Sequence, residues 1–147
     1  MNVNVKYFNH PEEGAKITDK VCIISSNNQQ FPEKIKPIFS RVFTNFLLNY
    51  YSGGFTDEVI QKMWNAIYSS KYVVVDCTGG EAYLFYFLGI AHTLGKPVFI
   101  CTADANVNKI PFDIRHRRVH VYTTDESGMK QLEIELTQFF KRDLNQK

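Results

Sequence analysis

The sequence predicts an α/β protein in three layers, with a mostly parallel sheet of four or five strands between two sets of helices. Three observations predict it. Apolar strand-like runs alternate with segments of helical period along the chain, the order that βαβ units produce. The runs VCIIS (residues 21–25) and VVVD (residues 73–76) are apolar at consecutive positions rather than at every second one, as strands covered on both faces are. Residues 73–100, VVVDCTGGEAYLFYFLGIAHTLGKPVFI, read without interruption as strand, tight turn, helix, turn and strand.

Residues 1–20 are polar and read either as a short leading strand on Val3, Val5 and Tyr7 or as an arm. Residues 21–25 form a buried strand that ends in the polar loop 26–30. Residues 31–50 carry Ile35, Ile38, Phe39, Val42, Phe43, Phe46 and Leu47 at three- and four-residue spacing, one apolar stripe of a helix. Pro32 is tolerated near its start and Pro37 kinks its first turn. A strand is usual between the first two helices of this layout, and the short aromatic stretch 47–55 with its Gly53-Gly54 break predicts a reduced one.

Thr56 is placed to cap the next helix, with Asp57 and Glu58 in the first turn where the helix dipole favours acids. That helix, 57–69, buries Val59, Ile60, Met63, Trp64 and Ile67. The βαβ unit follows, then a polar loop (102–109) and a strand at 119–122. A last helix, capped by Asp125 or Ser127, ends near Phe140, and the charged tail 141–147 frays. The whole is a flavodoxin/Rossmann-like arrangement forming a single domain over 1–147, with 1–20 as a possible arm.

Composition excludes several function classes. A formal charge of +2 is too small for bulk binding of polymeric nucleic acid. No apolar run approaches the length of a membrane span, and the first ten residues lack a basic-then-apolar signal pattern, so the expected location is the cytoplasm. Cys22, Cys77 and Cys101 lie in or beside apolar runs and read as buried thiols rather than a disulfide framework or a zinc site. No metal and no cofactor is expected, because no His, Cys or carboxylate cluster has ligand spacing.

The chemistry-bearing residues gather after the strand 73–76. Glycines at 79 and 80 let a backbone approach a ligand closely, and Asp76 and Thr78 stand where ligands sit in such folds, outside the carboxyl ends of the strands. Asp76 either accepts hydrogen bonds from sugar or base groups or orders its own turn. Glu81 opens the next helix, where the dipole favours a carboxylate whatever it does. Cys77 reads as packing, since the adjacent carboxylate disfavours a thiolate. His92 has no partner of a catalytic triad near it in sequence. Arg115, with Arg117 and Arg118, either holds a phosphate or pairs with Asp113 and surface acids. Tyr50, Tyr51 and Phe55 either stack on a base or fill the gap left by the reduced strand.

The run 73–100, followed by IPFDIRHRRVHVY (110–122), resembles the nucleoside 2-deoxyribosyltransferase-like proteins. Their pattern is a strand ending in Asp-Leu-Thr-Gly, then Asn-Val-Phe-Tyr-Glu-Leu-Gly-Ile-Ala-His, Leu-Gly-Lys-Pro and a later Pro-Phe-Asp-Leu-Arg. The likeness covers about residues 56–140 and implies a Rossmann-like fold shared with TIR-like nucleotide-processing domains. In active members the Glu of Tyr-Glu-Leu-Gly attacks the anomeric carbon and releases the base. Here Phe87 occupies that position and Tyr83 replaces the usual Asn. Glu81 lies six residues before Phe87, between one and a half and two helical turns away, so it does not replace the nucleophile in place.

The resemblance therefore implies a nucleoside- or nucleotide-binding protein that has lost catalysis, held by Asp76, Thr78, Gly79, Gly80, Tyr83, Phe87 and Arg115. The alternatives are an active N-glycosidase or deoxyribosyltransferase with a relocated carboxylate, Glu81 or Glu58, and Asp76 beside it, or an oligomeric interaction module. Family members commonly assemble near their sites, so a homo-oligomer is expected.

Overall fold

The computed structural model describes residues 16–26, 33–52, 56–103, 108–111, 114 and 118–145. In chain order these form β1 (Thr18–Ser25), α1 (Ile35–Val42), β2 (Leu47–Ser52), α2 (Asp57–Ser69), β3 (Ser70–Asp76), α3 (Ala82–Thr93), β4 (Val98–Ala103), β5 (Val119–Tyr122) and α4 (Glu126–Asn145). The five strands make one sheet in the order β2-β1-β3-β4-β5, and every neighbouring pair is parallel. The chain steps outward from β1 to β2, then returns past β1 to β3. That reversal, between β1 and β3, is the switch point at which a crevice opens outside the strand ends.

Alternation along each strand divides the interior into two cores. Val21, Ile23, Tyr72, Val74, Phe99, Cys101 and Tyr122 face one side, against Ile35, Ile38 and Phe39 of α1 and Met129, Leu132 and Leu136 of α4. Cys22, Ile24, Val73, Val75 and Ile100 face the other, against Met63 and Ile67 of α2 and Leu84, Phe87, Leu88 and Ala91 of α3. Both sides of the sheet are covered, hence the consecutive apolar residues of β1 and β3. The N-cap of α2 is as the sequence predicts, with Thr56 extended and its side chain accepting the Val59 N–H at 3.3 Å. Of the two candidate caps for α4, Asp125 takes the role: its Oδ1 accepts the Gly128 N–H at 2.7 Å.

Three sequence expectations need correction. The helix expected over 31–50 spans only Ile35–Val42, because Phe43 leaves helical geometry (φ −109°, ψ 51°). The rings of Phe43 and Phe46 then turn into an aromatic cluster with Tyr72 and Phe140, with centroids 5.1–5.9 Å apart. This frees 47–52 to be a full edge strand, paired with β1 from Lys20↔Leu47 to Ser25↔Ser52. The same cluster anchors Phe140, so α4 does not end there but runs to Asn145, and most of the expected frayed tail is helical. Thr18 to Lys20 belong to β1 rather than to an arm; the leading strand suggested by Val3, Val5 and Tyr7 lies outside the described residues.

Among the described residues, no helix is long and apolar enough to cross a membrane and no His, Cys or carboxylate group of three is arranged to hold a metal ion. The three cysteines are free and buried. Burial, aided by the neighbouring Asp76 charge, pushes the Cys77 thiol up to about 12, so it is protonated at neutral pH and packs as an apolar group.

Candidate functional site

Asp76 is the last residue of β3, paired with Cys101 of β4. The chain then turns tightly. The Cys77 N–H extends the ladder to the Cys101 carbonyl at 2.7 Å, and the Gly80 N–H closes the turn on the Cys77 carbonyl at 3.0 Å. Gly79 and Gly80 both have positive φ, 94° and 68°, which L side chains avoid. The close approach that the glycines permit is used by the protein itself. A Cβ on Gly80 would stand 2.7 Å from Cβ of Lys109, which packs over the turn from the segment after β4.

Asp76 is 4% exposed, and both of its oxygens are engaged. Oδ1 accepts the Thr78 N–H at 3.0 Å and the Thr78 hydroxyl at 2.6 Å. Oδ2 accepts the hydroxyl of Tyr122, the last residue of β5, at 2.7 Å. Thr78 Oγ1 in turn accepts the Ala103 N–H at 2.9 Å. The network joins the carboxyl ends of β3, β4 and β5. Burial raises the Asp76 carboxyl above its ordinary value, and the bonds from Thr78 and Tyr122 pull it back. The Tyr122 hydroxyl is raised by burial and by the Asp76 charge, so it stays protonated and acts as donor. Of its two possible roles, Asp76 is thus seen ordering its turn.

The crevice lies at the start of α3. A cavity of about 350 Å³ is lined, among the described residues, by Glu81, Ala82, Tyr83 and Tyr86. Glu81 is the N-cap residue, and its side chain makes no capping bond to the helix. The Tyr83 hydroxyl donates to the Ser25 carbonyl at 3.4 Å, which ties α3 to the carboxyl end of β1 across the switch point. Phe87 lies below. Its ring is 2% exposed, belongs to the core between α2, α3 and the sheet, and packs edge-on against Tyr83 and Tyr86 at 6.3 and 5.8 Å.

The predicted residues therefore separate into two groups. Asp76 and Thr78 form a closed network; Glu81 and Tyr83 line the cavity, and Phe87 is in the core beneath them. His92 lies in the last turn of α3, at the far end of that helix. Tyr50 is exposed on β2 with Lys36 Nζ 5.7 Å from its ring centroid, and Tyr51 packs on the core beside α2 and α3. Arg115, Asp113, Arg117, Gly53, Gly54 and Phe55 lie outside the described residues.

Two residues at this end escaped sequence reasoning. Tyr122 meets Asp76 across 46 positions; its signal was a hydroxyl-bearing residue closing the last strand, at the sheet end where Asp76 closes another. Tyr86 precedes Phe87, and as the Tyr of the Tyr-Glu-Leu-Gly-like run it carried a signal that passed unused.

Chemically, the cavity offers one carboxylate and two phenol rings at a helix start. That suits stacking on a flat ring and hydrogen bonding to its substituents. Comparison with protein-family models and with curated protein sequences returned no match.

Proposed function

We propose that the chain binds a nucleoside or nucleotide in the crevice at the start of α3 and does not cleave it by the glycosyl-enzyme route, as a degenerate relative of the nucleoside 2-deoxyribosyltransferases. The observation that carries this reading is the pairing of a tyrosine-lined cavity at the β1/β3 switch point with a buried phenyl ring at Phe87. Tyr83 and Tyr86 are suited to stack on a base, and Glu81 to accept from its amino group or from sugar hydroxyls. A phenyl ring has no lone pair with which to attack an anomeric carbon. Asp76 is a poor substitute nucleophile, since its oxygens already accept three hydrogen bonds within the turn network. On the same reading the protein acts in the cytoplasm as a homo-oligomer.

The test is incubation with nucleosides, deoxynucleoside monophosphates and NAD, reading free base by chromatography and melting temperature in parallel. A ligand-dependent rise in melting temperature without base release is expected. Neither release nor a shift would refute ligand binding and favour an interaction module. Base release would refute the loss of catalysis.

A second reading, an N-glycosidase, rests on Glu81 as the carboxylate that lines the cavity. It requires Glu81→Gln to abolish turnover with the melting temperature unchanged.

A further inference from the structure

The opposite end of the sheet carries a second recess. It opens where β4 and β5 begin, roughly 16 Å from the carboxyl ends at the usual rise of about 3.3 Å per residue. Its volume is about 260 Å³, and it is lined by Val98, Arg118, His120, Glu135, Gln138, Phe139 and Arg142. Four of these come from α4 at positions i, i+3, i+4 and i+7, a single helical stripe. This stripe runs beside the apolar one, Met129-Leu132-Leu136, that α4 buries. Along the stripe Phe139 packs against the core, Glu135 is half-buried, and Gln138 and Arg142 are exposed at the rim of the recess.

One polar ring of the recess, that of His120, is held in place by packing. His120 is 9% exposed and lies flat on Phe99 of the neighbouring strand, with ring centroids 4.2 Å apart and planes 15° apart. Phe139 closes edge-on against the same Phe99 at 5.5 Å. On the helix side, His120 Nδ1 stands 3.1 Å from Oε2 of Glu135. That oxygen is buried, so Glu135 sets one carboxylate against the inner wall of the recess beside His120. Arg118, just before β5, and Arg142 of α4, both exposed, stand at the recess. Two guanidinium groups against one carboxylate leave the recess cationic before His120 is counted.

We propose that this recess binds a phosphate group, free or on a small phosphomonoester, with Arg118 and Arg142 as its principal donors and Gln138 as an amide donor. Guanidinium presents paired N–H groups that match phosphate oxygens, and the apolar wall of Val98 and Phe139 lowers the local dielectric and strengthens those contacts. The site is separate from the crevice at α3, and the proposal stands whether or not that crevice holds a nucleoside.

The experiment is a titration of the 15N-labelled full chain with inorganic phosphate, at constant ionic strength set with chloride. Saturable shifts at the amides of Arg118, His120 and Arg142 are expected, with affinity falling roughly tenfold or more in Arg142→Ala and Arg118→Ala. Arg142→Lys keeps the charge and loses the paired donors, so it should fall between wild type and Arg142→Ala. Glu81→Gln should leave the affinity unchanged. A small phosphomonoester in place of phosphate distinguishes a site for the free ion from one for the ester, by whether the ester binds more tightly. Unsaturated shifts that chloride reproduces would overturn the proposal. So would saturable binding that both arginine-to-alanine variants, with native amide spectra elsewhere, leave intact.

Discussion

Replacing Tyr122 by Phe isolates the bond that closes the network over Asp76. The ring sits in the core beside α4, so Phe keeps the packing and removes only the hydroxyl, which donates to Asp76 Oδ2 at 2.7 Å. A hydrogen bond to a charged partner is worth about 1.5–3 kcal/mol, and here its loss also strands a buried oxygen. At about 2–4 °C per kcal/mol for a chain of this size, the melting temperature should fall by roughly 3–12 °C.

The pH dependence has a definite sign. Burial raises the Asp76 carboxyl above its ordinary value, so the stability linked to its proton is present below the unfolded carboxyl value and is lost as pH rises through the folded one. Removing the Tyr122 donor raises the folded value further. The Tyr122→Phe deficit is therefore full above it and shrinks as the pH falls through it. Thermal melts of both proteins between neutral and mildly acidic pH give the comparison. A deficit under about 1 °C at neutral pH, or one that grows toward acid, would refute the argument that this bond holds the strand ends together. Loss of ligand binding with an unchanged melt would move Asp76 from the scaffold to the working site.

The turn and the core beneath it yield further tests. Gly80→Ala should cost more than Gly95→Ala. Both positions have positive φ, near 70°, but a Cβ at Gly80 meets Lys109 at 2.7 Å and one at Gly95 meets nothing within 4 Å. Left-handed strain alone sets about 1–2 kcal/mol for each, so equal losses in urea unfolding would refute the contact with Lys109. Phe87→Glu should destabilise by about 3–5 kcal/mol, because it buries an unpaired carboxylate in the core, and should not create base release. A stable variant that releases base would show that the position faces the crevice after all.

The layered fold was legible because its signals are local. Consecutive apolar residues mark β1 and β3, and Thr56 with Asp57 and Glu58 marks the start of α2. Where local signals agreed with two elements, the reading failed. Phe43, Phe46 and Leu47 continue the apolar spacing of α1, yet the first two rings turn onto Tyr72 and Phe140, and Leu47 starts an edge strand. Helical period cannot reveal a partner 97 residues away from Phe43. The candidate site divides in the same way. The Gly79-Gly80 turn was visible as a turn, whereas its dependence on Tyr122 and Lys109 arises only when β4, β5 and the segment between them are brought alongside. The stripe of Glu135, Gln138, Phe139 and Arg142 was present as spacing, but its meaning depends on the facing ends of β4 and β5.

The division of the interior by the sheet has a consequence for how this chain tolerates change. Val73 and Val74 are neighbours in sequence but belong to separate packing problems, one solved with α2 and α3 and the other with α1 and α4. Side-chain volume exchanged on one face is felt on the other only through the backbone, so substitutions on opposite faces should combine close to additively, while those on one face should not. The molecule is modular across its thickness rather than along its length. Drift can remodel the half that bears the crevice while the other half keeps the fold standing.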